Sequence, residues 1–549
     1  IFEPNAKPAF TKTNIVPNDF SFAELQEDFD HFEPYLMHAV KRIPNLETAG
    51  IRKFFNGPES FTPDTNYLLG ETPEIKNFFV CCGFNSIGIV SAGGAGKVTA
   101  EWMINGEVNE DVFSLDITRF EKFHSETNFI IDRAAESLGN QYAMHWPYKQ
   151  QKTSRNIKTF PYHDLLKKEG ACFGQVAGFE SPLWYAIDGE KPEFKYSFGY
   201  QNWYKSAQNE TINTRKNVGF FELTPFAKFE IEGEAAYSSL QYLCSNDIKN
   251  NDGAITYTQM LNSKGGIEAD LSVTCISKNK FRIITGSGVR EHDKKHILRY
   301  LDQDVKFTDI TDSYSCFGIF GPESRSLLTQ MVGNEFENNK FPFGTGKFLK
   351  INNIDIWFQR LSYVGELGWE LYIPIKESKK IYEIINNIGK NFNMVHAGRL
   401  AMDIMRMEKG YLHWGHDISP AENPYESGLD FAVKENKDFE FLGKKSLLNN
   451  KSNQKKQLAM FILIDSNPGN PLLLHDEPIY YKENIIGETT SGNYSFCYNK
   501  NMAFGYIDSK INKNDMKNEI FQIEVSKVKY DAKLLLLPLH DPKNSKIKS

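Results

Sequence analysis

Residues 265–285 read GGIEADLSVTCISKNKFRIIT, and this stretch decides how the middle of the chain folds. Leu271, Val273 and Cys275 alternate with Ser272 and Thr274, a period of two that turns one set of side chains to a core and the other away from it. Lys278, Asn279 and Lys280 make a polar turn and Phe281 to Thr285 return, so the segment reads as an antiparallel hairpin whose register is set by its buried face. Asp270 stands at the entrance of that hairpin. Gly265 and Gly266 come just before it and permit a backbone bend close to a ligand.

Outward from the hairpin the pattern continues. Phe229 and Ile231 alternate with Lys228, Glu230 and Glu232, a half-buried strand closed by Gly233. Leu400, Ile404, Met405 and Met407 give residues 398–409 an apolar stripe at helical spacing, read as a packed core face rather than a methionine-lined cofactor box. Beyond Phe441 short strands alternate with turn signals such as Asn467-Pro468-Gly469-Asn470 and Ser491-Gly492-Asn493, which predicts a separate all-β domain. Near the start, Ser21 with Glu24 is a capping-box pattern that predicts a helix from about residue 22, and Pro34 predicts that a second helical stretch begins behind it. Asn77 to Cys82 reads as a buried strand that runs into a glycine loop holding Gly83, Gly88, Gly93, Gly94 and Gly96, followed by helical spacing from Lys97 to Ile104. Such a junction offers free backbone N–H groups to an electron-rich ligand, although Thr99 stands where a dinucleotide fingerprint needs its last glycine.

Composition narrows the function classes. A chain of 549 residues, 40% hydrophobic and 24% charged, should divide into several soluble globular domains. A formal net charge of -7, with no dense Lys/Arg cluster, argues against a nucleic-acid partner. The longest aliphatic run, Leu534 to Leu537, ends at Pro538 and falls far short of the roughly 20 residues of a membrane span. Seven cysteines without a C-x-x-C pair suit a reducing compartment, the cytoplasm or, in a eukaryote, the mitochondrial matrix, and Cys81 and Cys82 read as strand packing. Opening on Ile1 without a targeting peptide, the chain is expected to begin inside a longer protein.

Few residues could carry chemistry. His413, His416 and Asp417 lie close together in a loop, but no second cluster completes a ligand set, so no metal site is expected. No G-x-S-x-G nucleophile elbow is present, and no serine or cysteine has a compelling histidine neighbour in sequence. What remains is carboxylates set among glycines and aromatics: Asp270, and Glu366 and Glu370 in SYVGELGWEL. A lone carboxylate at a strand entrance is ordinarily solvated. Here the close glycines, Tyr363 for stacking, and carboxylates able to accept paired N–H donors are what a planar heteroaromatic amine needs.

These residues carry a family resemblance. ETAGIRKFFNGPESFTPDTNYLLGE (47–71) and GFNSIGIVSAGGAGKVTAEWM (83–103) resemble the C-terminal part of the flavoprotein domain in sarcosine and dimethylglycine dehydrogenases. GACFGQVAGFESPLWY (170–185), VGFFELTPFAKFEIEG (218–233), YTQMLNSKGGIEADLSV (257–273), SYVGELGWELY (362–372) and MRMEKGYLHWGHDISPAENPYESGL (405–429) are similar to the folate-binding region of the same enzymes and to the T-protein, the aminomethyltransferase of glycine cleavage. The resemblance implies an α+β protein with a partial flavoprotein domain over residues 1–106, a small connector over 107–162, a folate-binding domain over 163–445 and a β-barrel over 446–549. It implies oxidation of an N-methylated glycine, sarcosine or dimethylglycine, at FAD, electrons passing to an acceptor, and capture of the carbon on tetrahydrofolate as 5,10-methylenetetrahydrofolate. Asp270 matches the family's essential aspartate, which stabilises iminium character and moves a proton. Glu370 matches the residue that holds the pterin edge, Tyr363 lines the same pocket, and Glu366 is the alternative pterin partner. Asn85, Ser86, Ile87, Gly88 and Ile89 match the segment beside the flavin ring. Met402 replaces a T-protein arginine, for which Arg399 is the candidate substitute. With the dinucleotide fingerprint absent, the FAD-binding half is expected to be missing and the FAD site only partly present. A flavin-independent folate methyltransferase and a non-catalytic regulatory relative are the rival readings.

Overall fold

The structure is a computed structural model that describes residues 8–10, 15–108 and 110–549. The chain forms two compact units, one of residues 1–145 and 151–155, the other of residues 146–150 and 156–549.

In the first unit the strands β1 (Leu68–Glu71) and β2 (Phe79–Cys82) pair antiparallel, and the helices Phe29–Arg42, Gly88–Asn105 and Thr127–Asn140 accompany them. Four expectations need correction here. The first helix starts at Phe29 rather than near residue 22, because Asp28 is the working cap, its carboxylate accepting from the backbone N–H of His31 at 3.0 Å. Pro34 lies inside that helix. The glycine loop is shorter than expected: Gly88, Gly93, Gly94 and Gly96 belong to the helix Gly88–Asn105, and Cys81 and Cys82 are exposed rather than packed.

In the second unit the helix His163–Lys168 leads into the hairpin β3 (Ala171–Val176) and β4 (Phe179–Tyr185). Two larger sheets follow, built from β5 (Gly219–Glu222), β6 (Ala227–Glu232), β7 (Ile255–Leu261), β8 (Ile267–Ser277), β9 (Lys280–Thr285), β10 (Lys306–Asp309), β11 (Tyr314–Phe320), β12 (Gly346–Ile351), β13 (Ile354–Gln359), β14 (Gly368–Pro374) and β15 (Val395–Ala397). One sheet has the order β10-β6-β9-β8-β7 and the other β12-β13-β14-β11-β5-β15. The predicted hairpin is β8 and β9, paired antiparallel with Val273 opposite Ile283. Gly265 and Gly266 do bend the chain, with φ of +87° at Gly265. The surface they approach is the protein itself, since a Cβ at Gly266 would run into the Pro420 carbonyl and one at Gly265 would press on Leu447.

The two sheets meet at an apolar cluster. Phe221, Phe320, Trp357 and Tyr372 come from the six-stranded sheet, Ile284 from the five-stranded one, and Ala401, Met402 and Met405 from the helix Arg399–Lys409. Past Phe441 six strands close a barrel: β16 (Lys456–Leu463), β17 (Pro478–Tyr481), β18 (Asn484–Ser495), β19 (Lys500–Asp508), β20 (Phe521–Val525) and β21 (Val528–Leu535), in the order β16-β19-β18-β17-β20-β21. A closed barrel leaves no sheet edge to pair with other chains. Among the described residues no helix is long and apolar enough to cross a membrane.

Candidate functional site

Asp270 lies on β8, directly opposite Gln259 on β7. The Gln259 side-chain amide donates to Asp270 Oδ1 at 2.9 Å, and the Tyr257 hydroxyl, two residues away on the same strand face, also bonds the carboxylate. Burial pushes the Asp270 carboxyl up to about 6, the negative charge of Asp293 adds to the rise, and the two hydrogen bonds oppose it. A carboxyl that changes state close to neutrality can both take and return a proton.

Glu370 is buried on β14, between Gln359 of β13 and Gly318 of β11. Its Oε2 accepts from the Tyr372 hydroxyl at 2.7 Å. Burial raises its carboxyl to about 7, against the pull of the Tyr372 bond and of the Lys228 ammonium. Lys228 is itself fully buried, donating to the carbonyls of Thr224 at 2.7 Å and Phe226 at 2.8 Å, and burial lowers it to about 8. Behind this pair Gln359 accepts from Thr274 of β8 at 2.7 Å and from the Trp357 indole at 3.1 Å, which ties the two sheets together.

Tyr363 lies near Asp270. It packs against the apolar cluster that contains Tyr372, feels the negative charge of Asp270, and donates its hydroxyl to the Leu412 carbonyl at 2.8 Å. The structure thus places Tyr363 at the cluster where the sheets meet and near Asp270, and places Glu370 two residues before Tyr372 of that cluster on β14. Glu366 is occupied elsewhere: it ion-pairs with Arg215 at 3.2 Å and lies 2.8 Å from the His540 ring, while Arg215 pairs with Glu408 at 2.7 Å. Removing the cation from such a buried cluster strands two carboxylates, so Arg215→Gln should cost about 3–5 kcal/mol, read as a fall in the urea midpoint. An unchanged midpoint would mean that the network carries no stability.

Arg399 reaches the hydroxyls of Ser181 at 3.0 Å and Ser287 at 3.3 Å, and Met402 joins the apolar cluster. Asp417 receives Arg406 at 2.5 Å and the backbone N–H of His413 at 3.0 Å, so it is committed to holding its loop. In the first unit, both polar ends of the Asn85 amide are used inside the loop, Oδ1 by the Thr62 N–H at 2.8 Å and Nδ2 by the Gly83 carbonyl at 2.6 Å. Ser86 donates to Glu59, Gly88 opens the helix, and Ile87 and Ile89 are exposed. The segment is thus clamped by Asn85 and turns its apolar side chains outward.

Sequence reasoning passed over Gln259, Tyr257, Tyr372 and Lys228. Tyr372 was within reach, since a residue two places from Glu370 on a strand shares its face. Gln259 becomes visible only once the β7–β8 register is known.

Comparison with known proteins matches the chain to four family models: FAD dependent oxidoreductase over residues 9–102, FAD dependent oxidoreductase central domain over 105–159, GCVT N-terminal domain over 162–437, and glycine cleavage T-protein C-terminal barrel domain over 456–541. The expected loss of the FAD-binding half is not supported, because the oxidoreductase model reaches residue 9. The chain is 33% identical to 4-methylaminobutanoate oxidase (formaldehyde-forming) of Paenarthrobacter nicotinovorans, over 100% of this chain and 65% of that protein. It is 32% identical to the mitochondrial pyruvate dehydrogenase phosphatase regulatory subunit of Mus musculus, covering 98% and 63%. It is 30% identical to mitochondrial sarcosine dehydrogenase of Homo sapiens, covering 99% and 64%. The chain thus spans less than two thirds of the length of these relatives. The aminomethyltransferase T structure from Bartonella henselae superposes with a TM-score of 0.60 at 22% identity, covering 70% of this chain and 99% of that one, and shares its fold.

Proposed function

The chain belongs to the GCVT N-terminal domain family, in the form that joins it to an FAD dependent oxidoreductase domain, and from that premise we propose that it serves the oxidative demethylation of an N-methylated amino acid, with transfer of the carbon to tetrahydrofolate as 5,10-methylenetetrahydrofolate. The observation that carries this reading is Asp270, poised near neutrality, held by Gln259 and close enough to Tyr363 for its charge to be felt there, with the buried Glu370 on the neighbouring sheet as its companion carboxylate. FAD, when bound, supplies the two-electron oxidation of the N-methyl carbon to an iminium, and tetrahydrofolate supplies the amines that take the carbon up.

The residues fit a reduced pterin. One Glu370 oxygen is held by Tyr372 and the other takes no hydrogen bond among the described residues, which leaves an acceptor for ring N–H donors. Asp270 would hold the positive charge of the arriving carbon and take the proton released as ring closure completes. Tyr363 would stack. Ser86 to Ile89 would lie along the flavin, with Asn85 holding the loop in shape, so that the FAD contact within these residues is one edge of a larger site. The substrate is sarcosine, dimethylglycine or a related secondary or tertiary N-methyl amine, an electron acceptor reoxidises the flavin, and the setting in a eukaryote is the mitochondrion, as in the name of the human relative.

The test is to supply FAD, a dye acceptor, tetrahydrofolate and sarcosine or dimethylglycine, and to measure 5,10-methylenetetrahydrofolate against free formaldehyde. Folate-bound carbon supports the proposal. Dye reduction with formaldehyde alone sinks the transfer half, and no dye reduction sinks the oxidation half. Turnover without an acceptor would favour a flavin-independent methyltransferase, and silence in every arm, with folate still bound, a regulatory role.

A further inference from the structure

Beside Asp270 lies a buried chain of charge that the proposed chemistry does not use. Glu268 precedes Asp270 by two residues on β8 and shares its face. Glu268 Oε1 lies 3.2 Å from His292 Nε2, and His292 Nδ1 lies 2.9 Å from Asp293 Oδ1. Thr285 of β9 donates to the other Asp293 oxygen at 2.5 Å. His292 is buried, and the ring of Trp414, whose indole N–H donates to the Ile267 carbonyl at 3.1 Å, stands 5.3 Å from its own.

The protonation state follows from the geometry. A neutral imidazole has one N–H to give, and here each ring nitrogen faces a carboxylate oxygen within hydrogen-bond reach, so only the imidazolium satisfies both. Two flanking carboxylates also offset the cost of burying a cation. The groups facing His292 include Glu268 from β8, Asp293 and His296 from its own helix, Arg290–Tyr300, and Trp414 from the loop after Arg399–Lys409. Those facing Asp270 are Tyr257 and Gln259 from β7, Tyr363, and Asp293. Asp293 is common to both sets.

We propose that His292 is a positioning residue for the chemistry at Asp270: as a fixed imidazolium it ties Glu268 on β8 to Asp293 on the adjoining helix, and so sets both the seat and the local field of the Asp270 carboxylate. The inference rests on the folate reading of that site. The cation neutralises one of two carboxylates beside Asp270. Taking it away makes the surroundings more negative and holds the Asp270 proton more tightly, whereas taking away Asp293 does the opposite. A mere staple between strand and helix would not give opposite signs.

The test is a 13C NMR titration of protein labelled at the aspartate carboxyl carbons, with the Asp270 signal identified by its loss in Asp270→Asn. His292→Gln should raise the Asp270 midpoint and Asp293→Asn should lower it, each by roughly one pH unit, and His292→Lys should bring it back toward the wild-type value. Midpoints that stay put in both neutral variants, or move the same way, overturn the proposal. If His292→Gln does not fold, Asp293→Asn decides alone, a lowered midpoint supporting the proposal and an unmoved one overturning it. Calorimetry of wild-type protein with tetrahydrofolate runs beside this. Absence of binding with the opposite shifts intact would count against the folate reading while the charge coupling stands.

Discussion

Asp270→Asn is expected to leave tetrahydrofolate binding nearly unchanged while cutting one-carbon transfer by about 10²- to 10⁴-fold, the usual contribution of a positioned acid or base. Asparagine keeps the size of the side chain and an oxygen that can accept the 2.9 Å bond from Gln259. What it lacks is a removable proton and a negative charge. The wild-type rate should rise as pH climbs through about 6, where the buried carboxyl ionises, and that limb should vanish in the variant. The sign for stability runs the other way. A carboxyl whose folded value stands above its unfolded one binds its proton more tightly in the folded state, so ionising it costs stability as pH rises across the interval between them. Asp270→Asn should therefore unfold at higher urea than wild type at pH 7 and lose that advantage near pH 4. Equal midpoints at pH 7, together with undiminished transfer, would reduce Asp270 to a solvated strand residue.

The β8–β9 hairpin, the Arg399–Lys409 helix and the barrel were legible in the sequence because each rests on a local period that its own residues satisfy: alternation in Leu271 to Cys275, the stripe from Leu400 to Met407, short strands between turns after Phe441. The first helix was misplaced because two caps compete, and the one seven residues later, at Asp28, prevails. Gly93, Gly94 and Gly96 suggested a loop from composition alone, yet each has open space around it and tolerates the helix that Val90, Val98 and Trp102 continue. The site divides in the same way. Asp270, Tyr363 and Glu370 were named from residues and resemblance, whereas the choice between Glu366 and Glu370 depends on Arg215 and His540, respectively 151 and 174 positions away in the chain. No local pattern reports such a partner. The His292 bridge is equally hidden, since its carboxylates belong to a strand and a helix whose meeting is a tertiary fact.

Glu370→Gln should weaken tetrahydrofolate binding by about 10- to 100-fold, the value of losing a hydrogen bond to a charged group at roughly 1.5–3 kcal/mol. The amide keeps one acceptor but turns an NH2 toward ligand N–H groups, donor against donor. This loss need not come from damage to the fold. Burial already holds the wild-type carboxyl up to about 7, so the folded protein carries the cost of ionising it above that pH, and the neutral variant should be at least as stable there. Glu366→Gln makes the contrast, because it removes a partner from Arg215 and His540 and should lower the urea midpoint. Proton linkage separates the two carboxylates a second time. Below about pH 7 the free Glu370 is largely protonated and must release that proton to accept a pterin edge, so calorimetry at pH 6 in buffers of different ionisation enthalpy should record proton release on binding by wild type and less by Glu370→Gln. Affinity that survives in Glu370→Gln and collapses in a folded Glu366→Gln would exchange their roles, and it would require Glu366 to leave the Arg215 network in the bound state.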